Sequence, residues 1–71
     1  MSYKEEILAT KTKYKSGMRI ELISMFGRSH PIKSGTQGTI KYIDDSGNIH
    51  VDWDSSDKMV VIPEVDSIKI I

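Results

Sequence analysis

From Met18 onward, apolar side chains recur at every second position, the period of a strand with one face inside and one outside. Met18, Ile20 and Leu22 alternate with Arg19, Glu21 and Ile23, which predicts a first strand. Residues 36–43, Thr36-Gln37-Gly38-Thr39-Ile40-Lys41-Tyr42-Ile43, read as a second strand. A glycine inside a strand marks a bend or a close backbone approach, so Gly38 predicts one of these. Asp44-Asp45-Ser46-Gly47 is a turn, with Gly47 free to adopt positive φ. Ile49, Val51 and Trp53 then share one strand face, with His50 and Asp52 on the other. Residues 58–62 predict a fourth strand, apolar on both faces. Pro63-Glu64-Val65-Asp66 predicts a 3₁₀ turn, and residues 67–71 a final strand.

The period is different before Met18. Tyr3, Ile7 and Tyr14, with Leu8 and Ala9 alongside, form an apolar stripe at helical spacing, and no Gly or Pro interrupts it. Ser2 and Glu5 have capping-box spacing, and Gly17 is placed to cap the other end. A helix over residues 3–14 is expected, too short to be stable unless it docks. Residues 25–35 have no sustained period and carry two Gly and one Pro, which predicts a long loop.

Short strands at turn spacings of about 8–12 residues predict a barrel or sandwich, and 71 residues cannot build a full sandwich. The expected fold is mostly β, an SH3-like five-stranded small barrel preceded by a short N-terminal α-helix. One domain is expected over residues 1–71, with the helix in 1–16 and the barrel in 17–71.

The ordered motifs extend that reading. Arg19-Ile20-Glu21-Leu22 to Met25 is followed by Gly35-Thr36-Gln37-Gly38-Thr39-Ile40. Next come Ile43-Asp44-Asp45-Ser46-Gly47, Ile49-His50-Val51-Asp52-Trp53-Asp54 and Ile62-Pro63-Glu64-Val65-Asp66. Over residues 14–71 this series resembles domain-of-unknown-function family 4314, short proteins common in phages and mobile elements. The resemblance implies the small barrel and that genomic setting, but no active site. Two turns depart from the family's pattern. Ser55-Ser56-Asp57 stands where an Asn-Gly turn is frequent, and Glu64 stands where a Gly is frequent.

Charge narrows the function classes. Ten basic side chains balance ten acidic ones, so no net field draws the protein to nucleic acid or a membrane. The halves differ: residues 1–41 carry eight Lys/Arg and three Glu, and residues 42–71 carry two Lys and seven Asp/Glu. The chain has no cysteine, which excludes disulfides and thiolate zinc sites. No apolar run approaches the ~18 residues of a membrane span. The N-terminus lacks a signal-peptide core, so cytoplasmic residence is expected.

Little in the chain points to catalysis. His50, Asp52 and Asp54 share a strand face and could in principle hold a cation, but their spacing matches no recognised metal geometry. Ser55 and Ser56 lack a strained nucleophile elbow. Gly35-Thr36-Gln37-Gly38-Thr39 lacks the Lys and following helix of a phosphate loop. Same-face alternation assigns Trp53 to the core with Ile49 and Val51 rather than to a stacking platform. No enzyme activity, cofactor or metal is expected.

The candidate partner-binding residues are Met25, Phe26, Arg28, His30, Lys33, Lys41 and Tyr42, where basic groups interleave with aromatics. Met25-Phe26 is either an exposed apolar patch or a plug at one end of the barrel. The leading expectation is a binding module that engages a protein partner through the 25–35 loop. One alternative is nucleic-acid or nucleotide binding by the basic and aromatic surface. The other is a homo-oligomer built through edge strands near Ile68 and Ile70-Ile71.

Overall fold

The computed structural model of the protein describes residues 3–71. Ser2, the first member of the expected capping pair, lies outside them. Among the described residues the elements are helix α1 (Tyr3–Lys13) and strands β1 (Arg19–Ser24), β2 (Gln37–Ile43), β3 (Ile49–Trp53) and β4 (Ser67–Ile70). The strands form one antiparallel sheet in the order β3-β2-β1-β4.

Alternation decides what is inside. Ile20 and Leu22 of β1, Ile40 of β2, and Ile49, Val51 and Trp53 of β3 are buried together with Val61 and Ile32. At about 25 cal/mol per Å² of apolar surface removed from water, this cluster dominates the stability of so small a fold. Gly38 of β2 pairs with Trp53 of β3. A Cβ there would lie 2.7 Å from Val51 Cγ1 and 3.0 Å from the Asp52 carbonyl, so only glycine fits.

Two bulges interrupt the pairing. In β2 the register shifts between Ile40, opposite Val51, and Tyr42, opposite His50. Lys41 is the extra residue, and Tyr42 is turned outward although it lies two positions from buried Ile40. In β1 the register shifts between Leu22 and Ser24, and Ile23 is exposed on the outer face where alternation places it.

The helix ends one turn earlier than its expected cap. Gly17, at φ +90°, belongs instead to a separate turn closed by Met18 N–H to the Lys15 carbonyl at 3.1 Å. Its own N–H donates to the Ile40 carbonyl at 2.8 Å, so the sheet claims the residue. The helix docks through Ile7, whose Cγ1 would lie 3.1 Å from a Cβ at Gly47, and through Tyr14, which packs on the core. Leu8 and Ala9 do not join that face; Leu8 is 63% exposed.

The expected strand over 58–62 is reduced to one bridge, Ile49↔Val61, with both N–H···O bonds at 2.9 Å. Side chains take the carbonyls that would continue a ladder. Trp53 Nε1–H donates to the Met59 carbonyl at 2.8 Å, and Arg28 Nη2 donates to the Val60 carbonyl at 3.0 Å. The 63–66 segment is a turn, closed by Val65 N–H to the Ile62 carbonyl at 3.0 Å. The result is a mostly β fold with an open sheet of four strands among the described residues.

Candidate functional site

The loop between β1 and β2 is tied down at both ends. Toward β2, Gly35 N–H donates to the Leu22 carbonyl at 2.7 Å and Leu22 N–H to the Thr36 carbonyl at 2.8 Å. Ser34 Oγ–H reaches the Ile23 carbonyl at 2.8 Å. Ile32 is buried and anchors the middle of the loop in the core.

Toward β1 the tie is ionic. Arg28 reaches back to Asp66 with two parallel bonds, Nη1 to Oδ1 at 2.6 Å and Nη2 to Oδ2 at 2.8 Å. The Asp66 side chain is inaccessible to water and that of Arg28 is 15% exposed. Asp66 also accepts from Ile62 N–H at 2.7 Å and from Phe26 N–H at 3.4 Å. Burial pushes the pKa of this carboxyl up. The bonds from Arg28, Ile62 and Phe26 and the guanidinium charge outweigh burial and hold it below the ordinary range. Arg28 is raised in turn, chiefly by its bonds to Asp66. This bidentate pair joins the loop, the 58–62 segment and the turn before β4.

The clamp sets what the loop displays. Phe26 is 67% exposed while its own N–H and carbonyl are held, the carbonyl by Arg28 Nη1 at 3.3 Å. Met25, its neighbour, packs against the core. The Met25-Phe26 pair is therefore split, one residue packing on the core and the other projecting. Ile62 and Val65, which flank the Asp66 contacts on the opposite segment, are also exposed. His30 and Lys33 are exposed on the loop.

Lys41 and Tyr42 form a second patch. They lie five residues along β2 from the loop, roughly 16 Å at the ~3.3 Å rise of a strand. Tyr42 stacks on His50 with ring centroids 4.2 Å apart and planes 12° from parallel. His50 Nε2 is 2.9 Å from Asp44 Oδ2. Asp44 Oδ1 accepts from Ser46 N–H at 2.9 Å and Asn48 N–H at 3.0 Å, closing the β2–β3 turn. The bond with His50, opposed by burial and aided by those two N–H groups, lowers the Asp44 pKa.

The seven candidate residues thus fall into two patches, and one of them, Arg28, is a structural anchor with its charge neutralised. His50, Asp52 and Asp54 do not act together. His50 is paired with Asp44, Asp52 is exposed, and Asp54 forms a bidentate pair with Arg19 at 2.9 and 2.6 Å. Among the described residues no three His, Asp or Glu side chains are grouped so as to hold a metal ion. None of the helices among them is long and apolar enough to cross a membrane. Sequence reasoning missed Asp66 and Ile32. Arg28 and Asp66 are 38 positions apart, so no local spacing marks the pair.

A family model described as Domain of unknown function (DUF4314) matches residues 3–71. No curated protein and no solved structure matches the chain.

Proposed function

The chain belongs to the DUF4314 family, and from that premise we propose that it is a non-enzymatic binding module whose 25–35 loop engages a protein partner. One observation carries this reading: Phe26 projects into solvent from a backbone fixed by a buried ion pair. A large apolar side chain held in one place loses little conformational freedom on binding, which is what an interface anchor needs. Ile62 and Val65 extend the apolar surface, and His30 and Lys33 supply a polar rim.

The nucleic-acid alternative is less well supported. The Arg28 charge is neutralised by Asp66, and the Tyr42–His50 stack has the Asp44 carboxylate against it. The fold reading that goes with the proposal is an SH3-like barrel. The Val61 segment lies beside β3, so that β1, β2, β3 and this segment are successive neighbours while β4 returns to the side of β1, which supports that reading. The same proposal takes the protein as cytoplasmic and encoded by a phage or mobile element, on the resemblance of its motifs.

The test is co-purification from the native host with the parent chain and with Phe26→Ala. Loss of specific partners in F26A, with the thermal midpoint unchanged, supports the proposal. Retention of every partner by F26A and by a His30→Ala/Lys33→Ala double variant rejects it.

A further inference from the structure

Helix α1 touches the β2–β3 turn through Ile7 and Lys11. Ile7 closes on Gly47, where a Cβ would lie 3.1 Å from Ile7 Cγ1, and Lys11 Nζ reaches Asp45 Oδ1 at 3.5 Å. Between the helix, that turn and the turn preceding β4 lies a cavity of about 190 Å³, open to solvent, with Ile7, Ile62 and Pro63 as apolar walls. Burial orders the rest of the lining. Gly47 is buried, Ile7 and Asn48 are half-buried and Glu64 is exposed, so the glycine lies deepest and the carboxylate stands at the mouth.

Among the described residues Glu64 is the only charged side chain in that lining. Neither its carboxylate nor the Asn48 side-chain amide has a hydrogen-bond or ion-pair partner among them. Lys11, the cation at the adjoining helix contact, is taken by Asp45. The cavity thus combines apolar walls, an uncompensated negative charge at its mouth, and an amide whose oxygen is free to accept. An apolar cavity of about 150 Å³ holds a benzene-sized molecule, so there is room here for a chain of about six heavy atoms.

We infer that this cavity binds a small free alkylammonium ion, its aliphatic tail between Ile7, Ile62 and Pro63 and its cationic head at Glu64. The tail and the cavity walls both leave water, while the head stays hydrated at the mouth beside the carboxylate. An alkyl carboxylate of the same length would set like charges together at Glu64. A lysine side chain of another protein has the opposite polarity. It enters head-first and carries its ammonium past Glu64 to the apolar floor, where an unpaired charge is costly. Phe26 does not line the cavity, so the inference does not rest on the partner site proposed above, although Ile62 borders both.

The experiment titrates the ¹⁵N-labelled full chain with n-pentylamine, pentanol, pentanoate and Nα-acetyl-lysine methylamide, at low salt and about pH 7, where alkylamines are cationic. Expected with n-pentylamine are saturable amide shifts at Ile7, Gly47, Asn48 and Glu64. Pentanol should bind about fivefold more weakly, the upper end of what an exposed ion pair contributes. Pentanoate and the lysine derivative should give no saturable shift there. Glu64→Gln, at an exposed and unpaired position, should keep the fold and lower pentylamine affinity to the level of pentanol, while Phe26→Ala leaves it unchanged. The inference is overturned by the absence of saturable shifts at these amides, or by pentanol or pentanoate binding as tightly as pentylamine. It is equally overturned by E64Q retaining full affinity, by F26A losing it, or by the lysine derivative matching pentylamine, which assigns the cavity to a side chain of another protein.

Discussion

Replacing Asp66 with Ala removes the acceptor for four donors at once: both Arg28 nitrogens and the N–H groups of Ile62 and Phe26. It also leaves a guanidinium stranded in a site only 15% open to water. Breaking a buried ion pair from one side costs about 3–5 kcal/mol. A core this small supplies on the order of 3–5 kcal/mol in total. D66A is therefore expected at or beyond its unfolding midpoint at 25 °C. Arg28→Met leaves the carboxylate its two backbone donors, and a loss of about 2–3 kcal/mol is expected. The decisive comparison is the double variant R28M/D66L, which carries no stranded charge. It should recover about 2 kcal/mol relative to D66A. Urea unfolding followed by the fluorescence of Trp53, buried in the core, reads all four chains. The pH profile gives a second reading. The folded Asp66 pKa lies below its unfolded value, so the stabilisation is complete above about pH 4 and disappears as pH falls through the lowered folded value. The variants at Asp66 lack that component. A loss under 1 kcal/mol in D66A, or a double variant no more stable than D66A, refutes the clamp.

Three other substitutions test separate links. Ser56 adopts φ +70° in the turn after β3, a conformation that costs a non-glycine residue energy. Ser56→Gly should raise stability by about 0.5–1 kcal/mol in urea titration, and a decrease would show that the turn is not strained. Gly38→Ala drives a methyl group against Val51 and the Asp52 backbone. It should cost about 1–3 kcal/mol, read as a lower thermal midpoint. Asp44→Ala removes the acceptor for two turn N–H groups and the partner of His50. A loss of about 1–2 kcal/mol is expected, with broadened amide resonances at Ser46 and Asn48, and an unperturbed spectrum would contradict the assignment.

Most of the sheet was legible because period-two alternation is a local signal. Ile20, Leu22, Ile49, Val51 and Trp53 all lie on the predicted inner face. The close approach at Gly38 was also readable, and the departure from the family's Asn-Gly turn fell at Ser56, the strained residue. What was hidden depends on long-range side-chain chemistry. The 58–62 strand failed because Trp53 and Arg28 claim its carbonyls. Gly17 was assigned to the helix because nothing nearby reveals that Ile40 takes its N–H. Of the candidate site, His30 and Lys33 lie on the surface and Phe26, whose exposure the sequence left open, projects, whereas Arg28 turned inward to an acid 38 positions away.

The partnership of β1 with β4 has a kinetic consequence. The β2–β3 hairpin joins neighbours through a five-residue connection, whereas Ile20 meets Ile70 across a separation of fifty positions. Closing so long a chain segment carries a greater entropic penalty than closing the hairpin. The hairpin is thus the natural nucleus, and β1 stays single-sided until late in the folding reaction. Changes at Val51 should slow refolding, and changes at Ile68 should mainly hasten unfolding.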